Sequence, residues 1–287
     1  MAFLFYFAGM NFICVNGKIF QEDEPVLKAS NRSYRYGDGL FETMKVLNAW
    51  IILGDFHFER LFGSMAILKM VKPGLFTREK INEAVLFLCE KNKCSDKARV
   101  RISVTRGNGG LNDEDNSFQY LIETWPLDSQ IDQLNENGLV IDIYPDARKS
   151  CDVFSNLKSA NYLPYVMAAR FAKENKLNEC LILNTHQRIC DATIANVFWV
   201  RNGVIFTPPL SEGCVAGVMR KYLLEKLKDN GYNTQEQVLI IDDLLNADEI
   251  FLSNAVYGIR WVGQYRDRSY QNELSKKIFK ELIEQLL

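Results

Sequence analysis

A polar segment at residues 125–138, which contains Pro126, most constrains how this chain of 287 residues can fold. On either side of it, β-branched runs typical of strands alternate with amphipathic runs typical of helices. We therefore predict an α/β (α+β) protein, and 287 residues make one large domain or two of ordinary size. The expected bounds are 1–125 for an N-terminal α/β domain, 126–138 for a linker and 139–287 for a C-terminal domain.

The first nine residues form an apolar run that is too short to span a membrane and lacks the basic start of a signal peptide. Met10 precedes the first predicted strand, so we expect Met10 to be the natural start and residues 1–9 to be an extension. The sequence has no other apolar run that approaches the length of a membrane span, and we therefore predict no membrane partner.

Charge and cysteine content argue against two classes of function. A net charge of -2 does not suit a protein that holds nucleic acid through phosphate contacts, so we expect no such partner. Seven cysteines without CxxC spacing and two histidines do not make a zinc-ligand pattern, so we expect no metal site. An odd number of scattered cysteines is typical of a reducing cytosol, and we predict a cytoplasmic protein.

Lys158 lies between a strand predicted at 140–144 and a helix predicted to begin near Ser159. A lysine at such a junction has two interpretations. It is either a solvated side chain near a helix start, or a desolvated amine that forms a Schiff base with a carbonyl cofactor. The rest of the chain must decide between them.

An acidic residue and a glycine-led helix follow Lys158 along the chain. Asp191 follows the residues 184–186 and is expected in a turn that flanks a strand, and Gly217 directly precedes a helix predicted at 218–227. The free N–H groups at such a helix start suit a phosphate. Lysine, carboxylate and anion site are together the groups that pyridoxal phosphate needs, since the carboxylate keeps the pyridine nitrogen protonated.

Two arginines are further candidates. Arg60 lies beside the apolar stripe of a helix predicted to begin at about Asp55, its candidate N-cap. An arginine in that position is most often a surface ion-pair partner. Arg106 precedes the flexible turn at 107–110 and places a cation at its mouth.

Six segments, in their order and spacing, resemble one known family. The chain is similar to the fold-type IV (class IV) pyridoxal-phosphate-dependent aminotransferase family, which includes branched-chain aminotransferases, D-amino-acid aminotransferases and 4-amino-4-deoxychorismate lyases. The lyases are the members that it resembles most. The matching segments are YGDGLFET (36–43), HFERL (57–61), NLKSANY (156–162), CDATIANVFWV (190–200), TPPLSEGCVAGVMR (207–220) and DEIFLSNAVYGIRWV (248–262).

This resemblance implies roles for individual residues. Lys158 is the catalytic lysine that bonds the cofactor, and Thr43 is a candidate helper near it. Arg60 and the backbone N–H groups of Val218 and Met219 hold the phosphate. The side-chain amide of Asn254 lies beside them. Asn196 follows the ring-nitrogen carboxylate by five residues, as in the family, and the implied substrate contacts are Tyr36 and Arg106.

One departure from the family concerns the ring-nitrogen partner. The family usually places glutamate where this chain has Asp191, and aspartate reaches one methylene less far. The cofactor must then tilt, the strand must shift, or a water must bridge.

The resemblance also implies an architecture and leaves more than one activity open. It implies a smaller N-terminal and a larger C-terminal domain with the cofactor in the cleft between them, a homodimer and a small-molecule substrate. The spacing from Lys158 to Asn161 and the segment 253–256 favour aminodeoxychorismate lyase, which releases pyruvate and forms 4-aminobenzoate for folate biosynthesis. The alternative is a branched-chain or D-amino-acid aminotransferase acting with 2-oxoglutarate. A third hypothesis, suggested by Asp191, is a cofactor-binding protein without catalysis.

Overall fold

A computed structural model describes residues 11–113 and 117–287, so the expected extension at 1–9 lies outside the described residues. The first elements in chain order are β1 (Phe12–Val15), β2 (Lys18–Gln21), α1 (Arg32–Tyr36), β3 (Gly39–Leu47), β4 (Trp50–Ile51), α2 (Gly54–Ile67), α3 (Arg78–Lys91), β5 (Lys97–Thr105) and β6 (Gln119–Pro126). They are followed by β7 (Leu139–Lys149), α4 (Leu163–Glu174), β8 (Glu179–Asn184), β9 (Ile189–Ala192), β10 (Asn196–Arg201), β11 (Val204–Thr207), α5 (Val218–Asp229) and β12 (Thr234–Glu236). The last are α6 (Ile241–Asn246), β13 (Glu249–Asn254), β14 (Gly258–Tyr265), β15 (Arg268–Ser269) and α7 (Glu273–Ile278), with single 3-10 or π turns at 129–132, 210–212 and 279–286.

The chain divides into two compact units. The first ends at Ile51 and resumes at Met65–Leu127, and the second comprises Ile52–Ser64 and Asp128–Leu287. Both units mix helices with a sheet, which confirms the predicted α/β class. The domain bounds drawn from the sequence stay a prediction.

The first unit is built on a six-stranded sheet in the order β2-β1-β6-β5-β3-β4, and every neighbouring pair in it is antiparallel. Asn16 and Gly17 both have positive φ and close the β1–β2 hairpin, as their sequence predicts. Strand β5 buries Val100, Ile102 and Val104 at alternate positions, so the predicted half-buried strand is confirmed.

The second unit is built on a nine-stranded mixed sheet. Along the sheet the order is β12-β11-β10-β13-β14-β7-β8-β9, with β15 paired to β14, and β7 runs parallel to both of its neighbours. Both faces are apolar: in β10, Val197 and Trp199 belong to one core cluster, while Phe198 and Val200 belong to another that includes residues of α5. Strands covered on both faces read as continuous apolar runs, which is how β8 and β10 appear in the sequence.

One predicted helix start and one predicted N-cap are wrong. The helix after Lys158 begins at Leu163 and not near Ser159, because Pro164 has no N–H to donate and is tolerated in the first turn but not in a helix interior. The helix expected to begin at about Asp55 begins at Gly54, which places Asp55 in the first turn and not at the N-cap.

Across the described parts of the chain, none of the helices has the length and apolar character that a membrane span requires.

Candidate active site

The loop that carries Lys158 connects β7 to α4 in the second unit. The side chain of Lys158 is half-buried, and its Nζ lies 5.8 Å from the centre of the Tyr162 ring. Asn156 anchors this loop. Its side-chain amide donates to the carbonyl of Cys214 at 2.6 Å, and its own carbonyl accepts from the Ala216 N–H at 3.0 Å. The lysine loop is therefore fixed to the segment that leads into α5, a contact that sequence reasoning did not assign.

Asp191 lies within strand β9 and is only 2% exposed, so its predicted position in a turn is corrected to a strand. Its Oδ1 accepts from Asn196 Nδ2 at 3.0 Å. Its Oδ2 accepts from the Tyr165 hydroxyl at 2.8 Å, the Val215 N–H at 2.9 Å and Lys149 Nζ at 3.1 Å. Donors from four separate segments thus hold a buried carboxylate, which satisfies a charge that would otherwise be costly to bury.

The groups around Asp191 are held in their neutral forms by burial and by its charge. Burial, and then the charge of Asp191, raises the pKa of the Tyr165 hydroxyl and of the Cys190 thiol well above their usual values. The same two causes raise the pKa of Cys214 to about 12. Tyr165 therefore acts as a neutral hydrogen-bond donor to the carboxylate near pH 7.

Asn196, the first residue of β10, joins the carboxylate to the start of α5. Its Nδ2 donates to Asp191 and also to the Val215 carbonyl at 2.9 Å. A Cβ atom at Gly217 would lie 1.8 Å from Asn196 Oδ1, so this close approach of backbone and amide requires glycine. Asn196 is thus in direct contact with the acid five residues earlier, and its predicted role in binding the cofactor stays a prediction.

The N-terminus of α5 and Arg60 form the candidate anion site. Gly217 is the N-cap and has no side chain to cap the helix, so the first N–H groups, at Val218 and Met219, depend on other acceptors. Arg60 donates from its Nη1 to the Ala216 carbonyl at 3.0 Å, at the same end of the helix. A guanidinium beside the positive end of a helix suits a phosphate.

Helix α2 is held against α5 by contacts of two residues that precede Arg60 in the helix. Lys221 Nζ lies 2.7 Å from the Glu59 carboxylate, and the rings of Phe56 and Tyr222 meet edge to face at 6.5 Å. These contacts fix the position of the arginine relative to the helix end. Pyridoxal phosphate has a carbonyl, a ring nitrogen and a phosphate. The second unit offers an amine for the first, a buried carboxylate for the second and a candidate anion site for the third, so the residues present fit that cofactor.

Asn254 ends strand β13 and organises the following turn. Its Oδ1 accepts from the N–H groups of Val256 at 2.9 Å and Tyr257 at 3.1 Å. Its Nδ2 lies 3.4 Å from the carbonyl of Ile194, in the loop between Asp191 and Asn196. The amide thus connects the turn to that loop, and its role beside a phosphate stays a prediction.

The remaining predicted site residues lie in the first unit. Tyr36 ends helix α1 and is 41% exposed, and Thr43 is a half-buried residue of β3. Arg106 donates to Asp38 at 2.9 Å and to the carbonyl of Leu68 at 2.7 Å. Its guanidinium therefore anchors the chain internally, and its contact with a substrate stays a prediction.

Asp38 is the acceptor that two arginines share. Its Oδ2 lies 2.8 Å from Arg32 Nε and 2.9 Å from Arg106 Nε. Burial alone would raise the pKa of Asp38, but hydrogen bonds from the two guanidinium groups outweigh it and lower the pKa below its usual value.

Comparison with known proteins shows which family the chain belongs to. The sequence model described as amino-transferase class IV matches residues 39–265. A Methanocaldococcus jannaschii protein, provisionally named a branched-chain-amino-acid aminotransferase, is 29% identical over 95% of this chain and 94% of its own. The aminodeoxychorismate lyase of Bacillus subtilis is 29% identical over 86% of this chain and 84% of its own.

A solved structure supports the fold. The branched-chain aminotransferase of Thermoproteus uzoniensis, solved with norvaline, matches with a TM-score of 0.86, covering 97% of this chain and 95% of its own at 23% identity. The family match includes Lys158, Asp191 and Arg60 together with the helix start beside them. The chain therefore belongs to the class IV aminotransferase family, the pyridoxal-phosphate-dependent enzymes of fold-type IV.

Proposed function

We propose that this enzyme is an aminodeoxychorismate lyase, which converts 4-amino-4-deoxychorismate to 4-aminobenzoate and pyruvate for folate biosynthesis. The observation that supports this best is the turn at 253–256, where Asn254 binds two backbone N–H groups and lies against Ile194. The branched-chain enzymes of the family carry Gly-Thr-Ala in this turn. This chain has Ser-Asn-Ala-Val at 253–256, which resembles the lyases. The match with the Bacillus subtilis lyase points the same way. In this proposal the enzyme is a cytoplasmic homodimer.

The residues of the second unit would share the work as follows. Bound pyridoxal phosphate supplies a conjugated ring that draws electron density from the α-carbon of the substrate. The Lys158 amine would hold the cofactor; it would also take the α-proton of the substrate and deliver a proton to a carbon of the departing enolate. Arg60 and the N–H groups of Val218 and Met219 would bind the phosphate, and Asp191 would hold a proton on the ring nitrogen by its opposite charge.

Thr43, Tyr36 and Arg106 enter this proposal through the family resemblance. Thr43 would assist near the cofactor, and Tyr36 and Arg106 would contact the substrate. Arg106 already donates from Nε to Asp38, from Nη1 to the Lys69 carbonyl and from Nη2 to the Leu68 carbonyl. A substrate carboxylate would therefore have to displace one of these acceptors or share a nitrogen with it.

An aminotransferase is the second candidate. The Methanocaldococcus jannaschii relative, whose name points to branched-chain amino acids, aligns over 95% of this chain. In an aminotransferase, the same lysine would move a proton, and no carbon–carbon or carbon–oxygen bond of the substrate would break. The amino group would pass to 2-oxoglutarate.

A parallel assay separates these candidates. The lyase proposal predicts equal amounts of pyruvate and 4-aminobenzoate from aminodeoxychorismate without any added keto acid. Amino transfer from leucine or D-alanine to 2-oxoglutarate without 4-aminobenzoate would replace it with the aminotransferase. Cofactor binding with no turnover in either assay would favour the non-catalytic hypothesis, and Lys158→Ala serves as the inactive control for both assays.

A further inference from the structure

A second lysine, Lys149, contacts the candidate ring-nitrogen partner. Lys149 is the last residue of β7, and its Nζ lies 3.1 Å from Asp191 Oδ2. The two side chains are 10% and 2% exposed, so this is a buried ion pair and not a surface contact. The backbone of Lys149 is fixed as well, because its carbonyl accepts from the Thr185 N–H at 3.0 Å and its Cα pairs with Asn184 in the sheet.

Among the described residues, the other titratable groups that contact or adjoin Asp191 carry no compensating charge near pH 7, and the buried cation Arg220 on α5 is itself paired with Glu236. Tyr165 from α4, Cys190 from β9 and Cys214 before α5 are all buried, and the pKa of each is raised by burial and by Asp191. They are therefore neutral near pH 7, and Lys149 supplies the positive charge that faces the carboxylate.

The donors are also distributed unequally over the two carboxylate oxygens. Lys149, Tyr165 and the Val215 N–H all donate to Oδ2, whereas Oδ1 accepts from Asn196. A carboxylate oxygen can accept about two hydrogen bonds in its plane, so Oδ1 keeps acceptor capacity for one further donor.

We propose that Lys149 is a positioning residue of the active site, whose charge pairs with Asp191 at Oδ2 and leaves Oδ1 to receive a protonated heterocyclic nitrogen. This inference rests on the proposed role of Asp191 toward the cofactor. A buried carboxylate without a cationic partner takes up a proton more readily, because desolvation disfavours its charged form. A neutral carboxyl would then no longer favour the protonated ring nitrogen.

The test is the pH dependence of pyridoxal phosphate binding in Lys149→Gln, which keeps an N–H donor but removes the charge. Dissociation constants for the wild type and the variant are measured by absorbance titration from pH 5.5 to 8.5. The ratio of variant to wild type is compared at each pH, so that the titration of the ligand itself cancels. We expect this ratio to rise at least tenfold as the pH falls from 8.5 to 5.5.

Two further variants separate charge from structure. Lys149→Arg restores the cation and should return the ratio to a constant near one. In an Asp191→Asn background, Lys149→Gln should change the affinity by the same factor at every pH, because no carboxylate remains to be protonated.

Two results would overturn the proposal, and they differ in what else they refute. A ratio for Lys149→Gln that stays constant across this pH range, with tight binding by the wild type, would show that Lys149 only supports the fold. Absence of pyridoxal phosphate binding by the wild type would refute the cofactor role on which both this proposal and the proposed function rest.

Discussion

Replacing Asp191 by asparagine removes one buried negative charge while keeping the shape of the side chain. Lys149, 10% exposed and 3.1 Å from Asp191 Oδ2, would then face an amide in place of its counter-ion. Removing one partner of a buried ion pair costs about 3–5 kcal/mol, because the remaining charge is left uncompensated. With a urea dependence of about 2 kcal/mol/M, the unfolding midpoint should fall by about 1.5–2.5 M.

The assay is urea unfolding of the cofactor-free protein, followed by far-ultraviolet circular dichroism at pH 7. Glu174→Gln on α4 is the matched control, because it removes a carboxylate from an ion pair whose partners, Arg170 and Glu174, are 72% and 61% exposed. That control should leave the midpoint unchanged within error, since water and salt screen exposed pairs. Adding Lys149→Gln to Asp191→Asn should recover part of the lost stability.

The same variant carries a kinetic expectation. Asp191→Asn should lower kcat by about a hundredfold, the scale of removing one electrostatic stabiliser, whereas Asp191→Glu restores the usual residue of the family and should retain activity. A midpoint for Asp191→Asn equal to that of the wild type would refute the account of the buried pair. An unchanged kcat would refute the assignment of Asp191 to the ring nitrogen.

Three further predictions concern the anion site, the glycine before α5 and the first unit. Arg60→Ala should weaken pyridoxal phosphate affinity by about 1.5–3 kcal/mol through loss of a charge-assisted contact, and an unchanged dissociation constant would mean that Arg60 does not bind the phosphate. Gly217→Ala should lower stability by about 1–3 kcal/mol because its Cβ displaces the Asn196 amide, whereas Gly63→Ala, in an open helical position of α2, should be neutral or stabilising; equal effects on the urea midpoint would contradict this. Because the pKa of Asp38 is lowered in the folded protein, its stabilising contribution is complete above the unfolded value of about 3.9 and is lost as the pH falls through the folded value. Asp38→Asn should therefore be less stable than the wild type at pH 7, with a difference that shrinks below about pH 4 in urea unfolding; a difference independent of pH would refute the assignment.

Local signals in the sequence predicted the elements whose geometry depends on neighbouring residues. The Asn16-Gly17 hairpin depends on a positive φ at both residues, which asparagine and glycine favour, and Gly217 directly precedes α5 as its N-cap. Pro164 also marks the first turn of α4, although the helical spacing of Asn161, Tyr162 and residues 166–171 favours an earlier start near Ser159.

Contacts between distant strands could not be predicted in the same way. Lys149 and Asp191 are 42 residues apart, and they meet because β7 pairs with β8 in one register and β8 with β9 in another. Arg106 and Asp38 are 68 residues apart, and their pairing follows from the register of β3 against β5. Such registers are set by packing over whole strands, so a single lysine or arginine in the sequence does not reveal its partner.

The central claim is that Lys158 bonds the cofactor, and reduction followed by peptide mapping tests it most directly. Purified protein loaded with pyridoxal phosphate is reduced with borohydride, digested and mapped by mass spectrometry, with Lys158→Ala carried through the same steps. We predict one phosphopyridoxyl adduct, on the peptide that contains Lys158, and none in the variant. A reducible adduct on Lys149 or any other lysine of the wild type, with Lys158 unmodified, would contradict the account.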